Sequence, residues 1–111
     1  MVVTNELIEQ LKKEHEPKGE KLYLIKLSPT LQFVVKRVTR DGFLAFTKWA
    51  RERVRENPEK YTEARLAIEY FTVYPQITDE LYSELLPPQE TILSEKIAEI
   101  NGYTEPEVVE L

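Results

Sequence analysis

The sequence predicts an α+β fold that is mostly helical, with a short N-terminal helix and a β-hairpin packed against a bundle of about four helices. Near the N-terminus, two runs rich in β-branched and aromatic residues follow each other closely, which is typical of a hairpin. Beyond residue 38, apolar side chains recur at helical spacing between residue types that begin and end helices. The 111 residues, 41% of them hydrophobic, are enough for one domain with a modest core.

The first 38 residues are expected to hold the short helix and the hairpin. Residues 4–14 form a helix that Thr4 or Asn5 can cap, with an apolar stripe on one side. Two strands, 21–27 and 31–38, come next. Apolar side chains occur on both faces of this hairpin. We therefore expect helices over one face, and either partial cover or another subunit on the other.

A second helix is expected over residues 40–56, capped by Thr39. Its apolar positions follow helical spacing and are Phe43, Phe46, Ala50 and Val54. Directly afterwards, Asn57 and Pro58 match the cap and the first-turn proline of a third helix.

The stretch 64–75, ARLAIEYFTVYP, fits two interpretations. The residue types of its second half favour a buried strand, whereas its surroundings favour the end of a helix. No helix-breaking residue lies between Pro58 and Pro75. We therefore predict that the third helix continues through the whole stretch and stops at Pro75.

Two further helices are expected near the C-terminus. Thr78 caps a short one that ends by Leu86, because the next two residues are prolines. The last helix runs over about 88–101 and ends at Asn101-Gly102, where a left-handed residue is favoured. The chain is thus predicted to be a single domain. Its parts are 1–38 (helix plus hairpin), 39–103 (helical part) and 104–111 (acidic tail).

The net charge of −5 is unevenly distributed along the chain. Residues 1–65 carry a net charge of +4 and residues 66–111 a net charge of −9. Either these charges lie on solvated helix faces, or the molecule is polarised and its acidic half meets a basic partner.

Basic side chains are not clustered with interleaved aromatics, so we expect no nucleic-acid partner. No apolar run reaches the ~18–20 residues that span a bilayer, so we expect no membrane insertion.

Residues that carry out catalysis or hold metals are scarce. The chain has no cysteine, and its three glycines are too far apart to form a phosphate-binding loop. His15, the single histidine, lies between two glutamates and is expected to be a solvated surface residue. Eighteen glutamates produce carboxylate pairs by chance. We therefore predict that the protein is not an enzyme and has no cofactor or metal.

The order of these elements resembles the small tail assembly chaperones of long-tailed (siphovirus- and myovirus-like) bacteriophages. Four features within residues 5–103 carry the resemblance. They are the helix and hairpin (LIEQLKKEHEPKGEKLYLIKL, then LQFVVKRV), the helix entry Val38-Thr39-Arg40 with Phe43, the aromatic-proline end FTVYP, and the ending LLPPQETILSEKIAEINGYTEPEVVEL. Gly42, the Pro87-Pro88 doublet and the absence of a Gly-rich or Asn-Gly hairpin turn depart from the family's pattern.

The resemblance implies a function in phage assembly. Such a chaperone binds the long helical tape-measure protein and keeps it soluble while the tail assembles. In many phages the gene also yields a longer, frameshifted product that helps to recruit the tail-tube protein, and this chain would be the short form or its equivalent. It acts in the host cell cytoplasm and is not a major virion component. Two alternatives remain open. One is a small phage structural adaptor or connector retained in the particle, and the other is an acidic inhibitor of a host protein.

A chaperone for amphipathic helices needs exposed apolar surface. Five residues are the candidates for partner binding, each of which could instead belong to the core: Trp49, Tyr70, Tyr74, Leu85 and Leu86. The apolar groups on both hairpin faces are also compatible with a homo-oligomer.

Overall fold

A computed structural model describes residues 2–103 and 106–111 of the chain. Within them, the elements in chain order are α1 (Asn5–His15), β1 (Lys21–Ser28), β2 (Leu31–Arg37), α2 (Arg40–Glu56), α3 (Glu63–Phe71), β3 (Thr72–Tyr74), α4 (Asp79–Glu84) and α5 (Pro87–Ile100). A single 3₁₀ turn, Glu16–Lys18, connects α1 to β1. The predicted α+β class, with an N-terminal helix and hairpin packed against further helices, is confirmed.

The three strands form one antiparallel sheet in the order β1-β2-β3. In the register of the sheet, Leu24 lies opposite Val34, and Val35 lies opposite Thr72. Because side chains alternate across a strand, Phe33 and Val35 point to the face that carries the helices, and Val34 points to the other face. All three are buried, so the central strand is covered on both sides.

Cover on the second face comes from the same chain. Helix α1 packs along β1. The backbone N–H of Val3, just before α1, donates to Oε1 of Gln32 at 3.0 Å. Both residues are buried. The partial cover that the mixed hairpin faces predict is therefore an intramolecular helix.

The core lies between the sheet and two helices. It consists of Phe33 and Val35 from β2, Ile68 and Phe71 from α3, and Leu93 and Ile97 from α5. Side chains of this size stabilise the fold by about 1.5–3 kcal/mol each when they are fully buried. Helices α3 and α5 therefore cover this face of the sheet, and the shared core fixes the position of both helices.

Threonines cap four helices. Their hydroxyls accept a hydrogen bond from the backbone N–H three residues on, which satisfies one otherwise unpaired donor at each helix start. The pairs are Thr4 with Leu7, Thr39 with Gly42, Thr62 with Arg65, and Thr78 with Leu81. The predicted caps Thr4, Thr39 and Thr78 are confirmed, whereas Thr62 was not predicted.

The predicted start of the third helix at Asn57-Pro58 is wrong. Asn57 ends α2, since its N–H donates to the carbonyl of Arg53 at 3.0 Å. Its Oδ1 accepts from the N–H of Lys60 at 3.3 Å, which closes a turn. An asparagine followed by proline suits both a helix end and a helix start, and here the turn places Thr62 as the cap.

The prediction that ARLAIEYFTVYP is helical throughout is correct only for its first part. Helix α3 ends at Phe71, and residues 72–74 form β3 with no helix breaker in between. The open edge of β2 offers partners to the backbone, and the β-branched Thr72 and Val73 suit a strand. The predicted helical part, 39–103, therefore contributes the third strand. The peptide bond between Tyr74 and Pro75 is cis.

The end of α5 follows the prediction. Gly102 adopts the left-handed conformation with φ of 96°, and the N–H of Tyr103 returns to the carbonyl of Ala98 at 2.9 Å. Of the predicted acidic tail, Thr104 and Glu105 lie outside the described residues. Residues 106–111 form no helix or strand.

Candidate functional site

Helix α2 touches the rest of the molecule mainly through the aromatic residues of its first half. The ring centroids of Phe46 and Phe71 are 4.8 Å apart, and those of Phe43 and Tyr103 are 5.5 Å apart. None of the 17 residues of α2 is buried, and Val54, near its end, is 38% exposed. The second half of α2 therefore stands away from α3 and α5.

The space left between these three helices is an open groove of about 1140 Å³, which we call the α2–α3–α5 groove. Its apolar lining comes from all three helices and from Tyr103, three residues past the end of α5. These residues are Phe43, Phe46, Ala50, Val54, Ala64, Leu66, Ala67, Phe71, Ile97, Ala98 and Tyr103. Because aromatic contacts join α2 to α3 and to Tyr103 at one end, the groove is closed there and open towards Val54.

Small side chains line all three walls. Ala50 belongs to α2, Ala64 and Ala67 to α3, and Ser94 and Ala98 to α5. Small residues at a contact let helix axes approach to the short end of the usual 8–10 Å range. The walls are thus suited to receive another helix closely.

Charged side chains on the groove differ in sign from wall to wall. Arg51 and Arg55 lie on α2, whereas Glu63 lies on α3 and Glu95 on α5. Among the residues that the structure describes, none of these four takes part in an ion pair within 4.0 Å. The groove therefore presents positive charge on α2 and negative charge on α3 and α5.

Two polar contacts of Arg65 lie at the junction of α3 and α4. The guanidinium of Arg65 donates to Glu69 at 2.6 Å and to Asp79, at the start of α4, at 2.5 Å. A hydrogen bond and the positive charge from Lys60 also reach Asp79, and with Arg65 they lower the pKa of its carboxyl. Helix α3 is therefore tied to the helix that follows it.

A third contact joins α4 to α5. The hydroxyl of Tyr82 donates to a carboxylate oxygen of Glu90. Burial, followed by this hydrogen bond and the charge of Glu90, raises the pKa of Tyr82. This hydrogen bond links α4 to the first turn of α5.

The two predicted partner-binding aromatics of the second and third helices lie beside the groove and do not line it. Trp49 and Tyr70 contact each other, with ring centroids 5.2 Å apart, and both contact Phe46. The hydroxyl of Tyr70 donates to the carbonyl of Gly42 at 3.4 Å. Burial, and then the charge of Glu20, raises the pKa of this tyrosine.

The other three predicted residues lie elsewhere. Tyr74 is in β3 opposite Val34. Leu85 packs against the core, and Leu86 is 61% exposed at the start of α5. The structure does not bring the five residues together into one surface, and a binding role for each of them stays a prediction.

The groove residues were not predicted as a site from the sequence. A signal was present in the small side chains at spacings of three or four, such as Ala64 and Ala67 on one helix, and Ser94 and Ala98 on another. In an amphipathic helix, small residues inside the apolar stripe mark a position where a second helix approaches closely. That pattern indicates that a helix can pack there. It does not show whether the helix belongs to the same chain or to a partner.

A second, smaller cleft runs beside the free edge of β1. It has a volume of about 390 Å³ and lies between β1 and α5. Tyr23, Leu24 and Ile92 line it and are 37%, 39% and 48% exposed. Apolar side chains beside an unpaired strand edge are typical of a place where another strand can add.

His15 is not the solvated residue that the sequence predicted. Its side chain is 14% exposed, and Nδ1 lies 2.7 Å from Oε1 of Glu20. Lys36 approaches the other oxygen of that carboxylate at 3.3 Å. Burial alone would raise the pKa of Glu20, but the hydrogen bond with His15 and the charge of Lys36 outweigh it and lower the pKa.

Within residues 2–103 and 106–111, no group of three or more His, Cys, Asp or Glu side chains is placed to hold a metal ion. No helix of this described part is long and apolar enough to cross a bilayer.

Comparisons with family models, curated proteins and solved structures found no match. The described residues form an apolar groove with oppositely charged walls, and a free strand edge.

Proposed function

We propose that this protein is a phage tail assembly chaperone that holds an amphipathic helical segment of the tape-measure protein in the α2–α3–α5 groove. The observation that carries the proposal is the open apolar groove between three helices. The client's identity comes from the resemblance of the chain's element order to tail assembly chaperones. On this proposal the protein acts in the host cytoplasm, and tail-tube protein is a further partner.

The size and shape of the groove favour a polypeptide over a small molecule. Small-molecule sites have volumes of roughly 300–1,000 Å³ and enclose most of the ligand. Here the volume is about 1140 Å³, the groove is open to solvent, and Val54 in its lining is 38% exposed. A helix with apolar anchors at i, i+3, i+4 and i+7 fits such a groove and would complete a bundle with α2, α3 and α5.

Holding a client in this way keeps it soluble by removing its apolar stripe from water. Burial contributes roughly 25 cal/mol for each Å² of apolar surface removed. The client's polar face stays outside, and the chain's own net charge of −5 opposes association between complexes. A long helical client would therefore be protected at each segment that a copy of the chaperone occupies.

The test is co-expression with the tape-measure protein encoded by the same genome. Val54→Glu places a charge in the groove at a position that is already 38% exposed, so the variant is expected to fold. Leu44→Glu is the matched control, because Leu44 is on the same helix, is 62% exposed and does not line the groove. We expect the client to be soluble with the wild type and with Leu44→Glu, and to sediment with Val54→Glu. A client that sediments with all three proteins overturns the proposal.

A second candidate function is a structural adaptor that remains in the particle. The free edge of β1 favours it, since a neighbouring virion protein could add a strand there against Tyr23, Leu24 and Ile92. Leu24→Lys would block such pairing, because lysine on an edge strand discourages strand addition.

Mass spectrometry of purified particles separates the two candidates. A chaperone is absent from finished virions or present in traces, whereas an adaptor is recovered in fixed stoichiometry with other tail proteins. Stoichiometric recovery that Leu24→Lys abolishes would establish the adaptor and exclude the chaperone.

A further inference from the structure

The four charged side chains on the α2–α3–α5 groove are arranged by sign. Both arginines, Arg51 and Arg55, are on α2, one helical turn apart, and both glutamates, Glu63 and Glu95, are on the opposing helices. No other charged side chain among the described residues lines the groove. A helix lying in it would therefore have one edge beside positive charge and the other edge beside negative charge.

We propose that the groove selects a helix whose apolar stripe has acidic residues along one edge and basic residues along the other, and that these charges fix the direction in which the helix lies. This inference rests on the proposed function of the groove. The acidic edge would meet Arg51 and Arg55, and the basic edge would meet Glu63 and Glu95. All four groove charges lack an ion-pair partner among the described residues, so binding would break no ion pair within that part of the chain.

Direction follows from geometry. Rotating a helix end for end, with its apolar stripe still facing the groove, exchanges its two edges. A helix with one acidic and one basic edge therefore matches the walls in one direction and opposes them in the other. A helix with two edges of the same sign matches only one wall in either direction.

The experiment uses four synthetic helical peptides of about 18 residues, which is ~27 Å of helix. All share the same leucine stripe. The first has glutamate on one edge and lysine on the other, the second has these edges exchanged, the third has glutamate on both edges and the fourth has lysine on both. Binding is followed by the fluorescence of Trp49, the chain's single tryptophan, whose ring lies 6.3 Å from the groove residue Phe46.

We expect the two mixed-edge peptides to bind about tenfold more tightly than either uniform peptide, because two favourable surface ion pairs are exchanged for unfavourable ones. The advantage should shrink at about 1 M salt, where the screening length is ~3 Å. Equal affinity of all four peptides would overturn the charge selection.

Direction is read by disulfide trapping, for which the chain is well suited because it has no cysteine. Thr47→Cys places a thiol towards the closed end of the groove, and Val54→Cys places one at the open end. Each mixed-edge peptide carries one cysteine, at either of two positions seven residues apart on its groove-facing side, which matches the spacing of positions 47 and 54 on α2. We expect the two variants to trap each peptide through different cysteine positions, and the exchanged-edge peptide to show the reverse pattern.

A matched set of charge reversals completes the test. In the variant with Arg51→Glu, Arg55→Glu, Glu63→Lys and Glu95→Lys, the preferred direction of each mixed-edge peptide should invert. Trapping through both cysteine positions equally, or through the same position for both peptides, overturns the inference and leaves the groove as a binding site. If no peptide binds at any salt concentration while the circular dichroism of the protein is native, the proposed function of the groove fails as well.

Discussion

The side chain of Asn101 accepts a hydrogen bond through Oδ1 from the backbone N–H of Val38 at 3.0 Å. Its Nδ2 donates to the carbonyl of Lys36 at 3.1 Å and to that of Ile97 at 3.0 Å. One amide thus joins the end of α5 to the end of β2, across 63 positions of sequence. Because Asn101 also lines the groove, the same contact positions the α5 wall.

Asn101→Ala should lower the free energy of unfolding by about 1–3 kcal/mol, since it leaves partly buried backbone groups of Val38 and Lys36 without a partner. Asn101→Asp keeps an acceptor for Val38 but sets a carboxylate oxygen against the carbonyls of Lys36 and Ile97 at a helix C-terminus, so it should lose at least as much stability as the alanine variant at pH 7. Urea unfolding measures both, and an alanine variant as stable as the wild type would show that the amide does not hold the helix end.

Thr72→Val should raise the stability by about 1 kcal/mol. The Oγ1 atom of Thr72 is buried and has no hydrogen-bond partner among the described residues. Replacing an unsatisfied hydroxyl by a methyl group of similar shape removes its desolvation cost. Thr72→Ser, which keeps the hydroxyl and loses the methyl, should give no gain. The midpoints of thermal unfolding of the three proteins test this prediction. A valine variant that is less stable than the wild type would mean that the hydroxyl has a partner.

Ile68→Ala should lower the free energy of unfolding by about 2–5 kcal/mol, because Ile68 is fully buried between α5 and the sheet. Ile92→Ala makes the same chemical change at a side chain that is 48% exposed. It should cost roughly 1 kcal/mol or less. Similar losses for the two variants, measured by urea unfolding, would contradict the position of the core between α3, α5 and the sheet.

Glu20 should make the stability depend on pH in the acid range. Its pKa in the folded chain lies below the ordinary 4.5, so the carboxylate stabilises the folded state above that value and the contribution is lost as the pH falls through the folded-state pKa. Glu20→Gln removes this titration. The plot of unfolding free energy against pH should be less steep below about pH 5 for the variant. Parallel plots would show that the contacts with His15 and Lys36 add nothing to stability.

Most helix starts could be predicted from the sequence, because capping acts within three or four residues. Thr39 and Thr78 each bond to the N–H three positions later, so residue type and spacing are sufficient. The start at Asn57-Pro58 failed for the same reason, since two local patterns competed and the stretch continued to a better cap at Thr62.

The groove could be predicted only in its parts. The apolar stripe of α2, with Phe43, Phe46, Ala50 and Val54, is evident from spacing alone. Spacing does not show that the rings of Phe43 and Phe46 pack against other aromatic rings, whereas Ala50 and Val54 line the groove. That difference depends on where α3 and α5 pass, and those helices are positioned by the core residues Ile68 and Leu93.

The sequence by itself determined the class of fold, the hairpin, the ends of α1, α2 and α5, and the division of charge along the chain. Each of these depends on residues close together in the sequence. The tertiary structure decided that 72–74 are a strand, because β2 has an open edge whose backbone groups pair with them. It also decided that α2 diverges from α3 and α5 and that opposite charges face each other across the groove. Contacts between residues far apart in sequence set these features, and local propensity carries no information about them.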